Sequence, residues 1–280
     1  MSNGFGRQGD DYILSAEQID SYQRDGYLTL REVVTEEELR TLEPDFDRFI
    51  RGEVTGMERD FCDMSGPADR RFEDFSLVNA MLPRRYQPHL QGNVYERRAA
   101  SIARQLIGEQ AALDYDQFLA KRPDKPDAVF TWHQDLGYWP TNTPETFTAT
   151  CSLAMDDADT ENGCLQVLPG SQLGPLRPHR PLHGQGKDEF HILSITLDPD
   201  EQVVELPLRR GDITVHDERI VHGSGGNSSK TRWRRTYIVA FRSKACVDFE
   251  RSIGFTHSHN DKINWQTQDR KSTRLNSSHT

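Results

Sequence analysis

Two spacings of apolar residues divide the chain. Over its first half they recur at helical intervals: Ser15-Ala16-Glu17-Gln18 has the form of a capping box opening a short helix, and Thr35-Glu36-Glu37-Glu38 opens a second, with Leu39, Leu42, Phe46 and Ile50 on one face. Between them Tyr27-Leu28-Thr29-Leu30 reads as a strand, and residues 94–107 read as a further helix with Ile102, Leu106 and Ile107 inward. From about residue 128 the texture changes to short β-branched or aromatic runs at 128–132, 146–155, 164–168, 190–197, 202–206, 212–216 and 236–242. Glu161-Asn162-Gly163, Pro169-Gly170, Asp198-Pro199-Asp200 and Arg210-Gly211 supply tight-turn chemistry between them. Short strands without intervening helices predict a jelly roll or barrel. The expected architecture is mainly β with flanking helices (α+β), a helical part over about 15–127 bracing a β core over about 128–245.

Length and charge narrow the class without naming an activity. The 280 residues suffice for one large domain, expected over 1–266, although length alone permits two. A formal charge of -10 argues against nucleic-acid binding, which calls for a basic face, and against a polybasic membrane anchor. No apolar run approaches the roughly 20 residues of a spanning helix, and the polar, acidic start is unlike a secretory signal. The four cysteines, Cys62, Cys151, Cys164 and Cys246, form no C-x-x-C pair or regular framework. No disulfide is expected, and a reducing, cytoplasmic location follows. Residues 171–189 are long and aperiodic, as a lid or substrate loop would be. The tail 267–280 resembles translated sequencing adapter around Lys271–His279 and is expected to be non-native or disordered.

Chemistry enters with Trp132-His133-Gln134-Asp135-Leu136-Gly137-Tyr138-Trp139-Pro140 and, much later, Val221-His222-Gly223-Ser224-Gly225-Gly226-Asn227. If 130–135 is extended, His133 and Asp135 project from one face and can share a metal ion that His222 completes. Two imidazoles and a carboxylate leave open positions, which suits Fe(II) that must bind further ligands, whereas a closed structural zinc site wants four. A rival set of His216, Asp217 and His222 is conceivable, but His216 reads as a packed core imidazole. His179, His183 and His191 read as solvated surface residues flanking the loop, and His257 and His259 as a cluster without an evident third ligand. The hydrolase elbow G-x-S-x-G on a strand-to-helix turn is absent, and Gly223-Ser224-Gly225-Gly226 leads to a strand rather than a phosphate-binding helix.

These motifs resemble the phytanoyl-CoA dioxygenase family of Fe(II)- and 2-oxoglutarate-dependent oxygenases. The likeness runs through His133-Gln134-Asp135-Leu136 with Tyr138 and Pro140, Asn162-Gly163-Cys164-Leu165-Gln166-Val167-Leu168-Pro169-Gly170-Ser171, Gly211-Asp212, and His222-Gly223-Ser224-Gly225 with Asn227. Tyr22-Gln23-Arg24-Asp25-Gly26-Tyr27-Leu28 looks like the family's opening helix and strand, so the resemblance spans roughly 15–245. It implies a double-stranded β-helix of the jelly-roll, cupin-like kind, with His133, Asp135 and His222 as iron ligands and catalytic centre. It further implies an arginine about a dozen residues after the distal histidine that holds the far carboxylate of 2-oxoglutarate.

Counting back from Phe241 matches that arginine to Arg234, with Arg235 as rival, since adjacent strand residues face opposite sides. Arg232 reads as solvated. Tyr138, Trp139 and Gln134 are expected to wall the substrate pocket. Relatives that halogenate lack the metal carboxylate, so Asp135 implies hydroxylation with dioxygen, succinate and carbon dioxide being formed; ascorbate would support activity. Ring closure, desaturation and epoxidation use the same triad, and a non-catalytic barrel that binds a ligand is the alternative from another class. The expected partner is a small-molecule substrate, with no nucleic acid and no membrane; the sequence leaves oligomeric state and substrate open.

Overall fold

A computed structural model describes residues 4–66, 70–140, 142–144, 147–181 and 192–262. An N-terminal hairpin, β1 (Gly6–Gln8) with β2 (Asp11–Ile13), precedes α1 (Ala16–Asp25), β3 (Tyr27–Leu30) and α2 (Glu36–Ile50). Both helices begin with reciprocal capping boxes, Ser15 with Gln18 and Thr35 with Glu38, and α1 ends at Gly26 in the left-handed region. Next come β4 (Phe61–Asp63), β5 (Leu77–Met81), α3 (Pro83–Tyr86), α4 (Val94–Ile107) and the long β6 (Ala111–Lys121). The remaining strands are β7 (Phe130–His133), β8 (Thr148–Ala154), β9 (Leu165–Leu168), β10 (Arg180–Pro181), β11 (Leu193–Ser194), β12 (Val204–Leu206), β13 (Ile213–His216), β14 (Val221–Ser224) and β15 (Arg234–Ser243), followed by α5 (Lys244–Ser252).

Two antiparallel sheets make the jelly roll. The larger runs β3-β13-β8-β15-β6-β5-β4 and the smaller β12-β9-β14-β7. Strand alternation gives the large sheet two buried faces. Phe118, Cys151, Leu153, Val215, Tyr237 and Val239 turn toward α2 and α4, where Phe118 stacks 4.5 Å from Phe46 and 4.7 Å from Tyr237. Their neighbours Tyr115, Gln117, Thr150, Ser152, His216, Thr236 and Ile238 line a cavity that residues of β7, β9 and β14 close from the smaller sheet. The helices thus stiffen one face while the other is left free for chemistry.

The boundary expected near 127 does not hold, because β4, β5 and β6 belong to the large sheet and begin long before it. The reason is burial on both faces. Leu77–Met81 is buried throughout, and Ala111–Lys121 mixes Asp114, Tyr115, Asp116 and Gln117 with apolar residues, so neither shows the alternation of a half-exposed strand. The run 190–197 yields only the two-residue β11 within the described residues. Of the expected loop, Ser171–Leu173 is a 3-10 turn, and residues 182–191 lie outside the described residues, as does the tail 267–280. All four cysteines are buried free thiols. Among the described residues, no helix is long and apolar enough to cross a membrane.

Candidate metal centre and its cavity

His133 and His222 are direct cross-strand partners on β7 and β14, which sets their rings 4.2 Å apart. The strand ends at His133, two residues short of the extended stretch 130–135 that the sequence suggested. Asp135 opens a 3-10 turn, Asp135–Tyr138, but Gln134 between them keeps extended dihedrals (φ -119, ψ 130), so the carboxylate still returns to the face of His133. Asp135 Oδ1 lies 3.3 Å from His133 Nε2 and 3.6 Å from His222 Nε2, and one ligand atom from each residue falls within 4.8 Å of the others.

The outward nitrogens are fixed by the backbone. His133 Nδ1 lies 2.7 Å from the Thr131 carbonyl and His222 Nδ1 3.0 Å from that of Ile220. A carbonyl can only accept, so each Nδ1 carries a proton, and each ring when neutral offers its Nε2 lone pair to a cation. Burial, with His133 beside it, pushes the His222 imidazole well below its ordinary pKa. Burial alone would raise the Asp135 carboxyl, yet the imidazoles of His222, His133 and His216 hold it well below the ordinary carboxylate range. The donor set, two neutral nitrogens and one anion facing a cavity, fits a divalent ion with open positions.

His216 is packed and hydrogen-bonded, as the sequence suggested, and it also stands beside the triad. Its Nε2 lies 3.4 Å from Asp135 Oδ2, its buried Nδ1 has no hydrogen-bond partner among the described residues, and its ring lines the cavity. Asp217 turns away and accepts from the Arg219 amide, so the rival set does not assemble.

The adjacent arginines differ sharply. Arg234 shares the cavity with the triad, is only 7% exposed, and among the described residues has no hydrogen bond or salt bridge to its guanidinium. Burial pushes its pKa down to about 10. Arg235 faces the other side, where Asp156 binds it at 2.7 Å, Asp47 at 2.7 Å and Glu43 at 2.6 Å. Arg232 pairs with Asp159 and Glu161 outside the cavity.

Beyond the triad the cavity continues between Tyr138, Trp139, Phe255 and His257, with Met64 and Met81 on its wall. Tyr138 is anchored by the Leu193 amide, which donates to its hydroxyl at 2.8 Å. Trp139 is 2% exposed and carries the Arg242 guanidinium 3.3 Å over its ring. Gln134, however, does not reach the pocket. As the middle residue of an extended triplet it points the opposite way, its amide donating to the Arg219 carbonyl and accepting from the Arg177 amide. His179, expected at the surface, is instead buried, and its Nε2 accepts from the Gln134 amide at 3.0 Å, against Gly137 where no side chain would fit. His183 and His191 lie outside the described residues.

Lys121, Ser224, Gln117 and the C-terminal wall from Phe255 to His259 were missed. Ser224 was visible within the His222-Gly223-Ser224 motif; Lys121 had no signal beyond its place in an unrecognised strand.

A family model described as phytanoyl-CoA dioxygenase matches residues 22–236. The peroxisomal phytanoyl-CoA dioxygenase of Rattus norvegicus is 27% identical over 85% of this chain and 71% of its own. A probable alpha-ketoglutarate-dependent hypophosphite dioxygenase of Stutzerimonas stutzeri is 28% identical over 81% and 78% respectively. Among solved structures, EvdO2 from Micromonospora carbonacea var. aurantiaca superposes with a TM-score of 0.66 at 27% identity, covering 82% of this chain and 91% of that one; it has also been crystallised with 2-oxoglutarate.

Proposed function

The chain belongs to the phytanoyl-CoA dioxygenase family and is a 2-oxoglutarate-dependent non-haem iron dioxygenase, and from that premise we propose that it hydroxylates an unactivated C–H bond of a small molecule in the cytoplasm. His133, Asp135 and His222 would hold Fe(II), and Arg234 would take the far carboxylate of 2-oxoglutarate in a two-pronged contact. When bound, the iron supplies the oxidising chemistry: one oxygen atom of dioxygen enters succinate as 2-oxoglutarate loses carbon dioxide, and the other enters the substrate as a hydroxyl group.

The residues themselves position and exclude. The Thr131 and Ile220 carbonyls orient both imidazoles toward one point. The two sheets keep water from the anchored carboxylate, where a charge-assisted bond is strongest. Tyr138 and Trp139 wall the side where the target carbon would lie. The observation that carries this reading is the buried Arg234, which has no partner among the described residues and shares the triad's cavity, since an unpaired buried charge is costly unless an anion arrives to meet it.

Succinate formation from 2-oxoglutarate with Fe(II) and ascorbate tests the catalytic part, and its absence would point to a barrel that only binds. A metabolite library in the same assay should give a product heavier by one oxygen atom. A product lighter by two hydrogens would replace hydroxylation with desaturation or ring closure.

A further inference from the structure

Lys121 ends β6 directly opposite Arg234 on β15, in the register that pairs the two residues across the strands. Two like charges facing each other in this way destabilise a sheet. Lys121 is fully buried, and among the described residues neither it nor Arg234 has a carboxylate within ion-pair distance. Among the described residues the buried Arg98 and Arg242, and the partly buried Arg235, each meet a carboxylate. Burial, followed by the charge of Arg234, drives the lysine pKa well below its ordinary value.

The ammonium is nevertheless held in place. It donates to Ser224 Oγ at 2.7 Å and to the Gly225 carbonyl. Gly163 packs on it so closely that a Cβ there would lie 2.9 Å from Nζ and 2.4 Å from the Gly225 oxygen, which, with its φ of +79, excludes a side chain. An ammonium has three donors, of which two are used, and a serine hydroxyl that accepts from it keeps its own O–H to give. Ser224 and Arg234 both line the cavity.

On the reading of that cavity given above, we propose that Lys121 is a positioning residue of the co-substrate pocket, holding Ser224 with its hydroxyl hydrogen free for an incoming carboxylate and setting a second cation beside Arg234, so that the pocket selects 2-oxo acids bearing a second carboxylate. The arrangement stays frustrated until the anion arrives, and relief of that frustration adds to the selectivity.

Calorimetric titration of Mn(II)-loaded protein, without turnover, compares 2-oxoglutarate with 2-oxopentanoate, which lacks the far carboxylate. Lys121→Met should weaken 2-oxoglutarate on the order of tenfold or more, the scale of a hydrogen bond to a charged group, while 2-oxopentanoate changes by less than about twofold. Ser224→Ala should narrow the same preference, which keeps the test available if the lysine variant folds poorly. The ligand-free Lys121→Met protein should melt no lower than wild type, because a buried like-charge opposition is gone. Equal weakening of both acids, or no change in either, overturns the role of Lys121. Wild type that binds neither acid overturns the co-substrate pocket itself, and this proposal with it.

Discussion

Two buried clusters of imidazole and carboxylate meet at one cavity, and in both, one ligand atom from each of three residues lies within 4.8 Å of the others: His133, Asp135 and His222 in one, Asp114, Glu250 and His257 in the other. By spacing alone either could hold a metal ion. The difference lies in what already neutralises them. Arg242 lies 3.4 Å from Asp114 and also contacts Glu250, Arg251 reaches Asp114 at 2.5 Å, and His257 donates to it at 2.7 Å, so the second cluster carries its own cations. In the first, the Nε2 atoms and the carboxylate converge with no arginine or lysine of the described residues paired to them. A donor set becomes a site for an ion when its charge is left unmatched and a cavity reaches it; matched internally, the same residue types are a structural bolt.

The largest expected effect is therefore chemical in one cluster and mechanical in the other. Asp135→Ala should abolish turnover and metal binding, leaving the ligand-free melting temperature within a few degrees of wild type; added Mn(II) should raise the wild-type transition and not that of the variant. A variant that still binds the ion, or one that fails to fold, would break the comparison from the first side. Arg242→Met removes the central cation of the second cluster, leaving Asp114 and Glu250 to Arg251 and His257 and the buried Glu218 without its arginine. The cost to unfolding free energy should be about 3–5 kcal/mol, measured by urea denaturation. A change below about 0.5 kcal/mol, the range of an ordinary surface substitution, would show that this cluster is not held by internal neutralisation.

The neighbouring arginines repeat the contrast one residue apart. Arg234→Lys keeps the charge and loses the planar fork, so 2-oxoglutarate binding should weaken by about 1–3 kcal/mol with little change in stability. Arg235→Lys disturbs contacts to Asp156, Glu43 and Asp47, so it should lower the melting temperature and leave co-substrate affinity alone. Titration and melting of the two variants side by side separate these outcomes; the reverse pattern would shift the register of β15 by one.

How much of this could be read from the sequence depended on how far each element departed from two-sided burial. Capping boxes at Ser15 and Thr35 and the helical spacing of Leu39, Leu42 and Phe46 are local signals, and α1 and α2 follow them. The triad was legible because an extended His133-Gln134-Asp135 has only one geometry. Gln134 was misplaced by the same alternation, overlooked: the residue between two that face the cavity must face away. His216 and the 255–259 wall were not legible, because their proximity to Asp135 and Trp139 is made by strand pairing and chain return, with no sequence adjacency to announce it. The β4–β6 strands were hidden by polar residues, Asp114 among them, that are buried in ion pairs instead of alternating with solvent.

The smallest predicted effect concerns protonation of the second cluster. Burial disfavours charge on His257, but Asp114 and Glu250 outweigh it, and the imidazole pKa is raised above its ordinary value. Arg242 and Arg251 face the same carboxylates, and the rings of Tyr115, Phe255 and Trp139 complete its surroundings. A histidine whose folded pKa exceeds its unfolded one contributes stability that is fully present below about pH 6.5, the unfolded value, and is lost as pH rises through the folded value. Wild type should therefore exceed His257→Gln in unfolding free energy most near pH 6, and the gap should narrow steadily above that. The depressed pKa of Asp114, where burial is outweighed by His257 and the two arginines, acts in the opposite window, losing its contribution only as pH falls below the ordinary carboxylate range. Urea denaturation of both proteins from about pH 6 to about pH 9 thus isolates the histidine. A gap that stays constant or widens with rising pH would mean that His257 sits neutral in the fold, and that the arginines alone neutralise the cluster.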